Sequence, residues 1–341
     1  MKQLQQFGFS LLSILIISMF FAACGDVDPL PTDKGVRTFD HKVATKWNDL
    51  FLQIERQAPG YRPGPAPRAL AYLGFAAYEA CVPGMPEYNS LANLYPGIAV
   101  PAAEDKDYYW PAVANAVYPY LLSKFFPNMP ADLKQKMDGL EAQLESEFVG
   151  KTTSELLELS RKRGRAVATA FWEWSATDPF GHDAYKDPFG NYDWQANYSG
   201  PGDWVPTPPG PGKPMFPYWG KVRTFAISET EKLSRPPLPY SENTNSAFYS
   251  QALEVYAQNT PQLSYESKWI AEFWSDDLLN LTFSPPSRWI AIALQVVEAQ
   301  DSDLATALEC YAKVGLALND AGVACWHSKY YYNVERPVSY I

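Results

Sequence analysis

The stretch Asp303-Leu-Ala-Thr-Ala-Leu-Glu-Cys-Tyr-Ala-Lys-Val-Gly-Leu-Ala-Leu-Asn-Asp-Ala-Gly-Val-Ala-Cys-Trp-His-Ser-Lys-Tyr-Tyr-Tyr332 decides the fold. Leu304, Leu308, Tyr311, Gly315, Leu318, Gly322 and Cys325 recur at alternating four- and three-residue steps. That spacing gathers them into one stripe of a helix that begins at Asp303 and runs to about Tyr330. A stripe this long is the face a helical bundle buries. Gly315 and Gly322 on it point to the close approach of another backbone. The next position on the stripe is Lys329, and Arg336 follows seven residues later. Two cations therefore extend the apolar line. Unpaired buried charge is costly, so inward-pointing Lys and Arg require an anion. The alternative is that the bundle ends here and both side chains reach solvent at its rim, with Pro337 marking a helix end.

Working outward, helical periodicity dominates. Phe39 to Ile54 carries Trp47, Leu50, Phe51 and Ile54 at three- and four-residue steps. Pro67 opens a run of helix formers to Cys81, and Pro83-Gly84 closes it. Tyr109 to Phe126 and Ala131 to Phe148 read as two further helices, and Thr153 begins another that reaches about Trp174. After a long break, helices resume at Ser246 to Tyr256, Ser264 to Leu279 and Ser287 to Ala299. No series of alternating strands appears, so the predicted class is all-α, a helical bundle. The break, 178–243, is dense in Pro, Gly, Tyr and Trp, as in Trp204-Val-Pro-Thr-Pro-Pro-Gly-Pro-Gly212. Such a composition cannot form regular helix. Its aromatics need something to pack on, which favours a loop layer wrapped over helices rather than a linker.

At the other end, Met1-Lys2 precedes an apolar run from Phe7 to Ala23 and then Cys24-Gly25. This reads as a secretory signal at 1–23, with 24–37 as a tether. Phe21-Ala22-Ala23-Cys24 looks like a lipobox, which makes Cys24 the lipidation site and the protein an exported bacterial lipoprotein. An ordinary signal peptide with an incidental Cys, or a single span, are the alternatives. The run is short for a span, which needs about 20 apolar residues. Gly25 does not resemble the Asp that retains lipoproteins in the inner membrane, so the outer membrane is the expected address. A net charge of −10 argues against a nucleic-acid partner. Cys81, Cys310 and Cys325 form no metal-ligand cluster and read as small buried residues of helices.

The segment from Ala317 to Ile341, with its Lys329, Arg336 and Pro337, resembles the bacterial vanadium-dependent haloperoxidases of the type 2 phosphatidic acid phosphatase superfamily. Phe273-Trp-Ser-Asp-Asp, Phe283-Ser-Pro-Pro-Ser-Arg-Trp289 and Arg68-Ala-Leu-Ala-Tyr-Leu-Gly fit the same family. The resemblance divides the chain into an N-terminal helical region over 38–284 and, over 285–341, the start of the bundle that binds vanadate or phosphate.

The resemblance implies an oxyanion held between three motifs. Lys329 and Arg336 fall on the first and are the implied cofactor-binding residues. The second, Pro-Ser-Gly-His, and the third, Ser-Arg followed by His and Asp, are absent; where Ser287-Arg288 might open the third, Leu294 replaces the His. The catalytic His is therefore expected beyond Ile341, with the bundle incomplete at its C-terminus and no residue of this chain ligating the metal directly. Trp326 is the candidate for a halide pocket, with plain core packing as its alternative. His327 reads as a structural or rim residue. The implied function is a vanadium-dependent haloperoxidase using vanadate, hydrogen peroxide and halide. An acid phosphatase acting on a phosphate ester with the same two cations is the alternative. A non-enzymatic glycan-binding surface lipoprotein accounts for the anchor and the aromatics but leaves Lys329 and Arg336 unexplained. The chain can also be oligomeric.

Overall fold

A computed structural model describes residues 35–104, 107–210, 212–276, 278 and 280–341. The signal segment, Cys24 and most of the tether lie outside the described residues. Gly35–Ile341 forms one compact unit. Its helices are α1 (Lys42–Gln57), α2 (Pro65–Cys81), α3 (Trp110–Phe125), α4 (Ala131–Phe148), α5 (Ser154–Ala176), α6 (Ala247–Gln258), α7 (Tyr265–Phe273), α8 (Pro285–Ala299), α9 (Leu304–Tyr332) and the short α10 (Pro337–Tyr340). Among the described residues there is no sheet, only isolated bridges such as Asp40 with Asp303 and Asp203 with Val334. The all-α reading holds.

The centre of the molecule is α2, every residue of which is buried. A helix this apolar on all sides can only sit between others. Its closest partner is α9. A Cβ on Gly74 would lie 2.7 Å from the Tyr311 carbonyl oxygen, and one on Gly315 would lie 2.7 Å from that of Leu70. The two glycines thus let the backbones touch at a single crossing, as the sequence suggests for Gly315. Gly322 plays no such part: the nearest atom to its added Cβ is Pro67 Cγ at 3.9 Å, an ordinary contact. Helices α3 and α5 close the other side of α2, and α1 and α8 complete the core.

The long stripe of α9 needs correction. Leu304, Leu308, Tyr311 and Gly315 are buried, but Leu318 and Gly322 are half-buried, and Cys325 and Lys329 are exposed. Burial passes instead to Leu316, Asn319, Asp320 and Val323. The cause is geometric. A straight helix turns every 3.6 residues, so a seven-residue repeat drifts by about 20° per heptad and leaves the core face unless the helix supercoils. Cys325 is accordingly not a core residue, and the two cations do not prolong a buried line. A second difference concerns α7, which stops at Phe273 instead of continuing to Leu279. Arg288 of α8 pairs with Asp276 and also donates to the Phe273 carbonyl. That tertiary pairing draws the chain out of the helix and joins two of the segments on which the family resemblance rests.

The described residues of 178–243 form an ordered layer over the bundle, with only short 3-10 turns among them. Its first residue, Asp178, accepts from buried Arg68 of α2 at 3.2 Å. Arg223 donates to the Tyr72 hydroxyl and the Trp174 carbonyl, both at 2.9 Å, and its guanidinium stands 4.4 Å over the Trp174 ring. Asp320 of α9 accepts from three successive amides, Phe225, Ala226 and Ile227. Buried Lys232 pairs with Glu229 at 2.6 Å. Trp219 and Val222 bury themselves against Val323. Polar backbone that would otherwise need water is satisfied by these side chains, which is what allows so long a segment without helix or strand to stay in place.

Candidate oxyanion pocket

Asn333 ends α9 in the left-handed conformation, φ 47° and ψ 41°, with its N–H on the Lys329 carbonyl. Asn is among the few non-glycine residues that adopt this backbone readily, and its Nδ2 fastens the turn to the loop layer at the Asn197 carbonyl, 3.1 Å away. The chain then reverses and runs beside the loop layer. Trp204 N donates to the Asn333 carbonyl at 2.8 Å, Val334 bridges Asp203, and Glu335 N donates to the Gly202 carbonyl at 2.8 Å. This short antiparallel pairing delivers Arg336, whose guanidinium lies 5.8 Å from the Trp204 ring centre. Lys329 and Arg336 thereby reach the wall of one cavity of about 640 Å³. They meet through the turn at Asn333, not through helical periodicity.

The cavity has a cationic character unlike the molecule as a whole. Among the described residues its charged lining is Lys213, Arg235, Lys329 and Arg336, with no Asp or Glu. In a chain of net charge −10, four cations without a carboxylate make a field that selects anions. The Lys329 ammonium sits 3.9 Å above the centre of the Trp326 ring. This contact stabilises the cation and shields it, although the rest of the side chain is exposed. Partial burial is the main reason that the Lys329 pKa falls below its usual value; Arg336 pushes it the same way, and the Cys325 thiol opposes both. Trp326 itself donates Nε1 to the Met215 carbonyl at 3.0 Å, and the Tyr330 hydroxyl donates to the same oxygen at 2.7 Å. On the other side, Ser234 N donates to Ser328 Oγ at 2.9 Å and the Tyr332 hydroxyl to the Ser234 carbonyl at 2.7 Å. The last two turns of α9 therefore fix two loop segments as further walls.

Of the residues singled out in the sequence, Lys329, Arg336 and Trp326 come together. Cys24 lies outside the described residues. His327 lines no part of the cavity, and its backbone packs on Gly220. His41 bonds Thr45 at 2.8 Å and His182 stands against Trp172 at 5.3 Å, both away from the cavity. Among the described residues no group of three His, Cys, Asp or Glu is placed to hold a metal ion. The cationic wall fits an oxyanion such as vanadate or phosphate; an imidazole to ligate a metal is not in the cavity wall. Lys213, Arg235 and Trp204 were not singled out as site residues in the sequence, because nothing local tells which residues of a proline-rich loop will cross α9.

The fold is all-helical, and its cationic cavity gathers Lys329 and Arg336 on one wall. No family profile matches the chain. Vanadium chloroperoxidase of Curvularia inaequalis is 25% identical over 366 aligned positions, covering 92% of this chain and 59% of that protein. A bacterial vanadium-dependent iodoperoxidase of known crystal structure superposes with a TM-score of 0.74 and 28% identity, over 88% of this chain and 72% of that one. The chain thus spans somewhat over half the length of the curated relative. Sequence and fold agree: in both, the chain is similar to vanadium haloperoxidases.

Proposed function

We propose that the protein is a haloperoxidase that holds vanadate against the Lys329–Arg336 wall and oxidises halide with hydrogen peroxide. The observation that carries this reading is the convergence of both cations on a carboxylate-free cavity. The names of the two relatives, a chloroperoxidase and an iodoperoxidase, support it. Bound vanadate would supply the Lewis acidity that activates peroxide. The chain's own contribution is electrostatic. Arg336 offers a planar fork that can donate two hydrogen bonds to neighbouring oxyanion oxygens. Lys329 offers a compact charge, held in place by the Trp326 face, that withdraws electron density from the oxygen it meets. Trp326 lines the same wall, where it can form one side of a halide site.

Calorimetric titration with orthovanadate tests the reading. Lys329→Ala and Arg336→Ala each remove a charge-assisted hydrogen bond, which predicts about ten- to a hundredfold weaker binding. Iodide oxidation by peroxide, set against hydrolysis of p-nitrophenyl phosphate, separates haloperoxidase from phosphatase. Vanadate binding that is indifferent to both substitutions would sink the proposal. The lipid anchor is part of the same reading: metabolic palmitate labelling lost in Cys24→Ser supports an exported lipoprotein, and labelling unchanged by it does not. Among the described residues no helix is long and apolar enough to cross a membrane.

A further inference from the structure

The cavity is larger and more cationic than a lone oxyanion requires. At about 640 Å³ it lies within the range of pockets that enclose organic ligands, roughly 300–1,000 Å³. Two of its cations, Lys213 and Arg235, belong to the loop layer and are unclaimed by the oxyanion wall. Both are exposed, and neither belongs to an ion pair with a carboxylate among the described residues. Both are held beside the end of α9. Lys213 stands two residues before Met215, whose carbonyl accepts from Trp326 and Tyr330. Arg235 follows Ser234, which is fastened on both its N–H and its carbonyl by Ser328 and Tyr332. The same lining also carries aromatic rings. Tyr192 meets Tyr330 edge to face at 5.4 Å, and Trp204 stands edge to face with Trp194 at 5.9 Å.

We propose that the pocket binds a small aromatic anion, a single ring carrying a carboxylate, sulfonate or phosphonate group. Arg235 and Lys213 would hold the charged group and Tyr192 and Trp204 the ring. The inference names an organic ligand class for the pocket of the proposed haloperoxidase, and it rests on that reading only for the pocket's chemical purpose. Cations and aromatic rings in one lining reward the two halves of such a ligand together. An inorganic anion would use only the first, and an uncharged arene only the second.

Calorimetry on the full chain, with phenylphosphonate, methylphosphonate and orthovanadate as probes, provides the test. Phenylphosphonate is expected to bind about tenfold or more tightly than methylphosphonate, equivalent to about 1.4 kcal/mol for the ring. Arg235→Ala and Lys213→Ala, on exposed loop positions, are expected to keep the melting temperature. They should lower phenylphosphonate affinity by about tenfold and vanadate affinity by less than about threefold. Tyr192→Ala is expected to erase the preference for the phenyl group. Equal affinity for the two phosphonates would overturn the inference. So would variants that weaken vanadate and phenylphosphonate alike, which would make Lys213 and Arg235 only a background field. Phenylphosphonate binding that Arg235→Ala leaves unchanged, with vanadate binding still dependent on Lys329 and Arg336, defeats this inference alone. Vanadate binding indifferent to Lys329 and Arg336, with Arg235-dependent phenylphosphonate binding present, defeats the oxyanion reading alone.

Discussion

At the scale of single residues, Lys329 carries a pH signature. Its pKa lies below the ordinary 10.5, so the ammonium starts to lose its proton at a lower pH than a free lysine does. Oxyanion affinity should therefore fall as pH rises through that lowered value, because the neutral amine no longer attracts the anion. Lys329→Arg keeps its charge over the same range. The ratio of wild-type to variant affinity for inorganic phosphate, measured from pH 7 upward, cancels the ligand's own ionisation and should decline. A flat ratio would place the titration elsewhere. For stability the sign is opposite. Between the folded value and 10.5 the unfolded chain holds the proton that the folded chain has released, so stability rises with pH in that window. Lys329 and Arg336 were singled out in the sequence because a Lys, six residues and Arg-Pro is a local pattern. What brings them together was not legible there, since it depends on the φ of Asn333 and on pairing with Gly202–Trp204. Asp320 was equally hidden. It reads as one polar residue in a helix, and only the path of a loop about ninety-five residues earlier shows its three amide partners.

At the scale of elements, the crossing of α2 and α9 is the most sensitive joint. Gly315→Leu would force a branched side chain against the Leu70 carbonyl, already 2.7 Å from where a Cβ would stand. Overpacking of this kind costs about 1–3 kcal/mol and more when backbone must move. A clear drop in melting temperature is expected, whereas Gly322→Ala, in ordinary contact, should change it little. Equal effects would contradict the crossing. Helix starts were readable because capping chemistry is local. Thr153, Ser246, Ser264 and Asp303 each accept, through the side chain, a backbone N–H of the first turn. The end of α7 was misread because it is set by Arg288, on another helix. The continuous stripe on α9 was misread because the sequence repeat and the helix pitch differ slightly, and the difference accumulates over a helix of 29 residues.

At the scale of the whole molecule, α6, α7 and the outer face of α8 are poorly covered. No residue of α7 is buried, and only Ala252 is buried in α6. Trp269, Phe273 and Trp274 are about half exposed, as are Trp289, Ile292 and Val296 on the outer face of α8. Exposed apolar surface on this scale favours association. Light scattering across a concentration series should show self-association, and Trp269→Ser with Trp289→Ser should reduce it. A monodisperse wild-type monomer at high concentration would refute the expectation.

The Asp320 contact has a consequence for how the pocket behaves when filled. The helix that bears Lys329 is the same helix that clasps Phe225, Ala226 and Ile227. Any opening that frays the end of α9 must slacken the coil wound over it. A molecule bound in the pocket opposes that opening by RT ln(1 + [L]/Kd). Occupancy should thus be readable at a distance, as slower amide exchange over 225–227, where no part of the ligand reaches. The strap would report the state of the pocket without touching what lies inside it.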